Sequence, residues 1–236
     1  MKASRILILC LFFFPLFGTA QNQSGPLNLS TFDNRTWHFG FMLGFNGMNL
    51  STQTDLTQGD SIISLETKNG GGFNINILAD YHIAPNWDIR FVPGLSFGER
   101  NIEYLMQWNA GNELVVKNIQ STYLEFPLLL KYRSFRDENF AAYLIGGFKY
   151  SLDLSSQWDV DNDVAPLNQL VILNRHNTWA ELGVGSDLFL EYFKFSVELR
   201  LSLGLNDMIL HDNSMWVQPI NQGIPRMFLV GFCFEG

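Results

Sequence analysis

From Trp37 to the C-terminus the chain alternates apolar and polar side chains in stretches of about ten residues, the two-residue period of strands with opposed faces. The clearest stretch is Lys194-Phe195-Ser196-Val197-Glu198-Leu199-Arg200-Leu201-Ser202-Leu203-Gly204-Leu205, with a large hydrophobe at every odd position and a charge, hydroxyl or glycine at every even one. The pattern predicts eight strands, at 37–50, 71–83, 87–99, 121–133, 139–154, 176–190, 194–206 and 224–235. In the second, Phe73, Ile75, Ile77, Ala79 and Tyr81 oppose Gly72, Asn74, Asn76, Asp80 and His82, with Leu78 as the exception. In the fourth, Leu124, Phe126, Leu128, Leu130 and Tyr132 oppose Tyr123, Glu125, Pro127 and Lys131.

The connections alternate in length, short at 84–86, 134–138 and 191–193 and long near 51–70, 100–120, 155–175 and 207–223. This spacing fits an all-β, eight-stranded, antiparallel up-and-down transmembrane barrel with short periplasmic turns, long extracellular loops and both termini periplasmic. Trp37, Tyr81, Trp87 and Tyr132 fall on the apolar face at strand ends assigned to the periplasmic rim, where an aromatic girdle is expected. A secreted β-sandwich or lipocalin-like barrel also alternates but buries its apolar face. Against it, the polar face is rich in glycine (Gly40, Gly44, Gly94, Gly98, Gly183, Gly185, Gly204), which suits a crowded narrow interior better than a solvated surface.

The N-terminus changes the picture of location. Lys2 and Arg5, the apolar run 6–17 and Gly18-Thr19-Ala20 have the layout of a secretory signal (1–20), removed after Ala20. Residues 21–36 then form a polar periplasmic segment and 37–236 the outer-membrane barrel. Cys10 belongs to the signal, so Cys233 stands alone and no internal disulfide is expected. Of 15 basic residues the signal holds two, leaving 13 against 23 acids; no basic stripe invites nucleic acid. The mean hydropathy of +0.03 is compatible with a membrane barrel, because a polar lumen offsets an apolar exterior.

Charges on the polar face set the candidate chemistry. Arg90, Glu125, Lys131, Glu181, Asp187, Glu198 and Arg200, with Asp88 and Lys194, all point into an interior just wide enough for side chains. Buried charge is costly unless paired, so they predict a lumen ion-pair network of structural character; a proton relay or substrate cleft is the alternative reading. For catalysis, His38, His82, His176 and His211 are the available bases. The cluster Leu210-His211-Asp212-Asn213-Ser214 is too local for a nucleophile, base and orienter to converge, and no nucleophile elbow or metal-ligand spacing occurs. The chain therefore reads as a non-enzyme with no cofactor, no metal and no small-molecule substrate. The acidic stretch 158–163 lacks the glycine and glutamate of a calcium loop. Trp108, Trp158 and Trp216 in long loops suit either contact with a partner or a second girdle.

Two stretches carry a family resemblance. Tyr123-Leu124-Glu125-Phe126-Pro127-Leu128-Leu129-Leu130-Lys131-Tyr132, followed by Ala142-Tyr143-Leu144-Ile145-Gly146-Gly147, resembles the PorT-like outer-membrane β-barrel family. The stretch 192–206 resembles the penultimate strand of its PorT/SprT group, components of the type IX secretion system. Phe148-Lys149 departs from the expected continuation. The resemblance implies an accessory barrel needed for export of cargo with C-terminal signals, and in gliding species for motility. Its implied partners are outer-membrane lipid and other secretion-system subunits, and Glu125, Pro127, Lys131, Glu198 and Arg200 act in it as lumen and pairing elements rather than catalysts.

Overall fold

The computed structural model describes residues 27–55, 62–108, 111–156, 169–211 and 214–236. The leader 1–20, Trp158 and the acidic stretch 158–163 lie outside these residues, as does the side chain of Trp108. Nine strands are described: β1 (Trp37–Thr54), β2 (Ile62–Ala84), β3 (Trp87–Phe91), β4 (Gly94–Trp108), β5 (Gly111–Arg133), β6 (Phe140–Asp153), β7 (His176–Phe189), β8 (Lys194–Gly204) and β9 (Ile220–Glu235). Each pairs antiparallel with its neighbours, and β1 pairs with both β2 and β9, which closes the ring. β3 and β4 together occupy one place between β2 and β5, so the ring has eight members, as the alternation predicts.

The break between β3 and β4 falls at Val92-Pro93, where proline has no N–H to give the ladder. The gap is bridged by neighbours: Ile77 donates its N–H to the Pro93 carbonyl at 2.9 Å and Val92 donates to that of Pro127 at 3.3 Å.

Burial is inverted relative to a water-soluble protein. Phe45, Ile77 and Leu182 are 68%, 67% and 67% exposed, while Arg90 and Glu198 are fully buried. Outward apolar residues on β1 run from Trp37 to Phe45, about the nine to eleven residues that a tilted strand needs to cross a bilayer core. Past that band the polarity flips. On β4, Leu95 and Phe97 face outward and Ser96 inward, but beyond Gly98 it is Asn101 and Glu103 that face out and Ile102, Tyr104 and Met106 that are buried. On β1 the switch occurs at Gly47, after which Met48 and Leu50 point in. Where the surroundings change from oil to water, the apolar face must move to the inside.

This flip corrects the expected loops at 51–70 and 100–120. Much of both is strand: β2 starts at Ile62, β4 runs to Trp108 and β5 starts at Gly111, so β2, β4 and β5 rise beyond the barrel as a three-stranded wall. A search for one continuous apolar face stops at the membrane boundary, because beyond it the two faces exchange roles.

Candidate functional site

The inward charges meet in one ladder of alternating sign. Lys131 holds Asp187 at 2.9 Å; Asp187 faces Lys194 at 4.0 Å; Lys194 holds Glu235 at 2.7 Å; and Glu235 accepts from Arg90 at 3.0 Å. Arg90 donates to Glu198 at 3.0 Å, Glu198 pairs with Arg200, Arg200 holds Glu181 at 3.2 Å, and Lys149 joins Glu181 at 3.0 Å to Glu125 at 2.9 Å. Arg90 also grips Asp80 with a bidentate fork at 2.8 and 2.7 Å, a geometry that only a guanidinium provides. Hydroxyls occupy further acceptor sites: Ser202 on Glu181 at 2.5 Å, Ser196 on Asp187 at 2.6 Å and Tyr143 on Glu198 at 3.0 Å.

Eight of the nine charges expected in the lumen, Arg90, Glu125, Lys131, Glu181, Asp187, Lys194, Glu198 and Arg200, thus lie in one chain of contacts. Asp88 does not join it; it pairs with His82 at 2.6 Å nearer the short-turn end. Sequence reasoning overlooked Asp80, Lys149, Glu235 and Tyr143 as members. Their signal was parity alone: each alternates with an outward residue, Lys149 with Phe148 and Glu235 with Phe234. The ring of Tyr143 lies against the backbone of Gly185, where a Cβ would come within 2.3 Å of its Cζ, so glycine there lets Tyr143 reach the ladder.

Both ends of the lumen are covered. At the short-turn end the segment before β1 folds back: Phe32 is buried, stacked on His38 at 3.9 Å and edge-on to Phe189 at 5.8 Å, with the Lys194 ammonium 4.7 Å from its ring centre. Asp33 secures it with a 2.8 Å ion pair to Arg133. At the long-loop end an apolar cap forms from Met48, Ile102, Tyr104, Trp179, Met208 and Trp216. Trp216 is fully buried and its carbonyl accepts from Tyr104 at 2.9 Å, so it is a core residue of the cap rather than an exposed aromatic. Arg100 marks the change from ladder to cap, donating to Tyr123 Oη at 2.7 Å and Ser121 at 3.3 Å.

Trp37 and Tyr81 stand outward 4.6 Å apart, as do Trp87 and Tyr132 at 4.7 Å, all four at the short-turn rim. The histidines are dispersed: His38 under Phe32, His82 on Asp88, His176 on Tyr150 at 2.6 Å and His211 on Asp207 at 2.9 Å. Ser214 serves as a turn residue, its Oγ accepting from the Trp216 amide at 3.3 Å. No group of three metal-ligating side chains forms among the described residues.

A barrel with its apolar face outward and its charges sealed inside has one solvent that suits it, the interior of a membrane. The family model of the outer membrane protein beta-barrel domain matches residues 19–210. The chain belongs to that family. Membership places this barrel in the outer membrane. Among solved structures it is similar to the outer membrane protein OprG from Pseudomonas aeruginosa, at 14% identity over 90% of this chain and 98% of that one, with a TM-score of 0.48. It is similar also to Ail of Yersinia pestis in complex with the heparin analogue sucrose octasulfate (12% identity, 86% and 100% covered, TM-score 0.40). The outer membrane protease OmpT from Escherichia coli is a third (10% identity, 84% and 95% covered, TM-score 0.39). A search of curated proteins finds no relative by sequence.

Proposed function

We propose that this barrel is a non-enzymatic, non-conducting accessory of the type IX secretion system, acting through its rims and not through its lumen. The observation that carries this reading is the filled interior: an alternating ion ladder between two covers leaves no passage for a client chain. The resemblance of 123–147 and 192–206 to PorT-like strands supplies the system. In this reading the leader is removed after Ala20, the short turns and both termini are periplasmic, and no cofactor is required. The short turns offer contact points for other subunits, since Phe135 and Tyr192 are 84% and 81% exposed there.

The test is deletion of the gene in its native host, with cargo bearing C-terminal secretion signals quantified in medium and periplasm. Periplasmic accumulation reversed by complementation is the expected result. Normal secretion would overturn the reading and favour a self-sufficient adhesin or ligand-binding barrel. One feature supports that second role: the wall of β2, β4 and β5 stands beyond the apolar band with Ile63, Leu114 and Val116 exposed.

A further inference from the structure

At the long-loop rim, where β7 begins and β8 ends, Asn174, Arg175, His176, Asn206, Asp207 and Leu210 enclose a pocket of about 420 Å³. Its hydrogen-bonding groups are unequally committed. Asp207 is already answered, by His211 at 2.9 Å and by the amides of Ile209 and Gly223 at 3.0 Å each. Asn174 and Asn206 spend their amides on the pocket wall, donating to backbone carbonyls, among them those of Asp207 and His176. The Arg175 guanidinium and the His176 ring are different. Arg175 is exposed, fixed through its carbonyl by the Asp153 amide at 2.8 Å, and its guanidinium has no ion-pair partner among the described residues. His176 uses Nδ1 on Tyr150 at 2.6 Å, which leaves Nε2 without a described partner.

Position adds to chemistry. Leu182, Leu203 and Leu205 end the outward apolar band directly below this pocket. Arg226 lies outward on the adjoining strand, in register with Leu203 and two residues beyond Phe228, again with no ion pair among the described residues. Across the barrel the corresponding outward positions are acidic or paired: Glu66, Glu99, Glu103 with Lys68, and Glu113. Among the described residues of this rim, the outward arginines without an ion pair, Arg175 and Arg226, thus lie on the β7–β9 side, at the level where lipid headgroups begin.

We propose that this rim is a binding site for a phosphorylated lipid headgroup, with one phosphate seated between Arg175 and His176 and a second anionic group of the same molecule on Arg226. A planar guanidinium matches a phosphate with two parallel hydrogen bonds, and a rim site lets the acyl chains stay on the leucine band. The inference rests on the membrane placement of the band and is independent of the secretion role.

The experiment measures retention of bisphosphorylated lipid A on the full barrel in detergent by native mass spectrometry, beside enzymatically dephosphorylated lipid A. The expected result is preferential retention of the phosphorylated form, about tenfold weaker in the R175Q/R226Q double variant, reduced by a smaller factor in R175K, which keeps the charge but not the two parallel bonds, and unchanged in K68Q across the barrel. Heat-modifiable gel migration establishes that each variant is folded. Equal retention of both lipids, or no loss in the double variant, overturns the site. Inorganic phosphate at millimolar concentration separates the sources: failure to displace the lipid supports the headgroup assignment, and full displacement overturns it in favour of soluble phosphate.

Discussion

Lys149 shows how much a single buried charge decides in this lumen. It joins Glu125 to Glu181, and while Glu181 also keeps Arg200, Glu125 has no other cation in the ladder, so Lys149→Met strands the Glu125 carboxylate and should cost about 3–5 kcal/mol, read as a lowered urea midpoint of the refolded barrel. Glu198→Leu removes the partner of Arg90, Arg200 and Tyr143 together and should lower the temperature of heat-modified migration; unchanged migration would refute the pairing described. Packing makes an independent prediction. Gly185→Ala places a methyl 2.3 Å from Tyr143 Cζ and should cost about 1–3 kcal/mol, whereas Gly47→Ala, with nothing within 4 Å, should be close to neutral in the same assay. Alternation of side chains was enough to place Glu125, Glu181, Glu198 and Arg200 inside. It could not rank Lys149, whose neighbour Phe148 looked like a departure from a motif, nor foresee that Trp216 is buried, because loop residues carry no period.

At the level of strands and loops, the decisive feature is the exchange of polarity at the edge of the apolar band. Leu130 is outward on β5 within the band, and Leu130→Arg should cost about 2–4 kcal/mol in a bilayer-folding measurement. Asn101→Arg, outward on β4 above the switch, should change stability by well under that amount. The loop that carries Asp207 has its own pH dependence. Burial raises the Asp207 carboxyl, but the hydrogen bond from His211 and the amides of Ile209 and Gly223 outweigh it and hold it below the usual carboxylate value. A depressed carboxyl stabilises fully above its unfolded value, near pH 4, and the contribution is lost as pH falls through the folded value. Amide protection factors across 207–211, corrected for intrinsic exchange, should therefore fall below about pH 4.

Taken whole, the molecule is a barrel closed by its own side chains. In a planar bilayer it should give no stepwise conductance, and Phe32→Ala should not open it, because the ladder and the apolar cap lie behind that cover. Stable single-channel steps in the wild type would contradict the filled lumen. Phe32 and Asp33 are committed to the barrel mouth, whereas Phe135 and Tyr192 stand exposed at the same end.

Strand class, the number of ring positions, the antiparallel order and the residues that face oil within the band were all legible in the order of amino acids, because a period of two is a local property and a lipid-facing row tolerates no charge. That period also assigned eight of the ladder's charges to the interior. Which cation meets which anion was settled by the closed ring. The partners are separated by as many as 145 residues, as Arg90 and Glu235 are, and their meeting depends on the stagger of strands around a closed ring. The same holds for the cap, the fold-back of Phe32 and the cationic rim. Each is assembled from segments distant in sequence, where no local pattern records the contact.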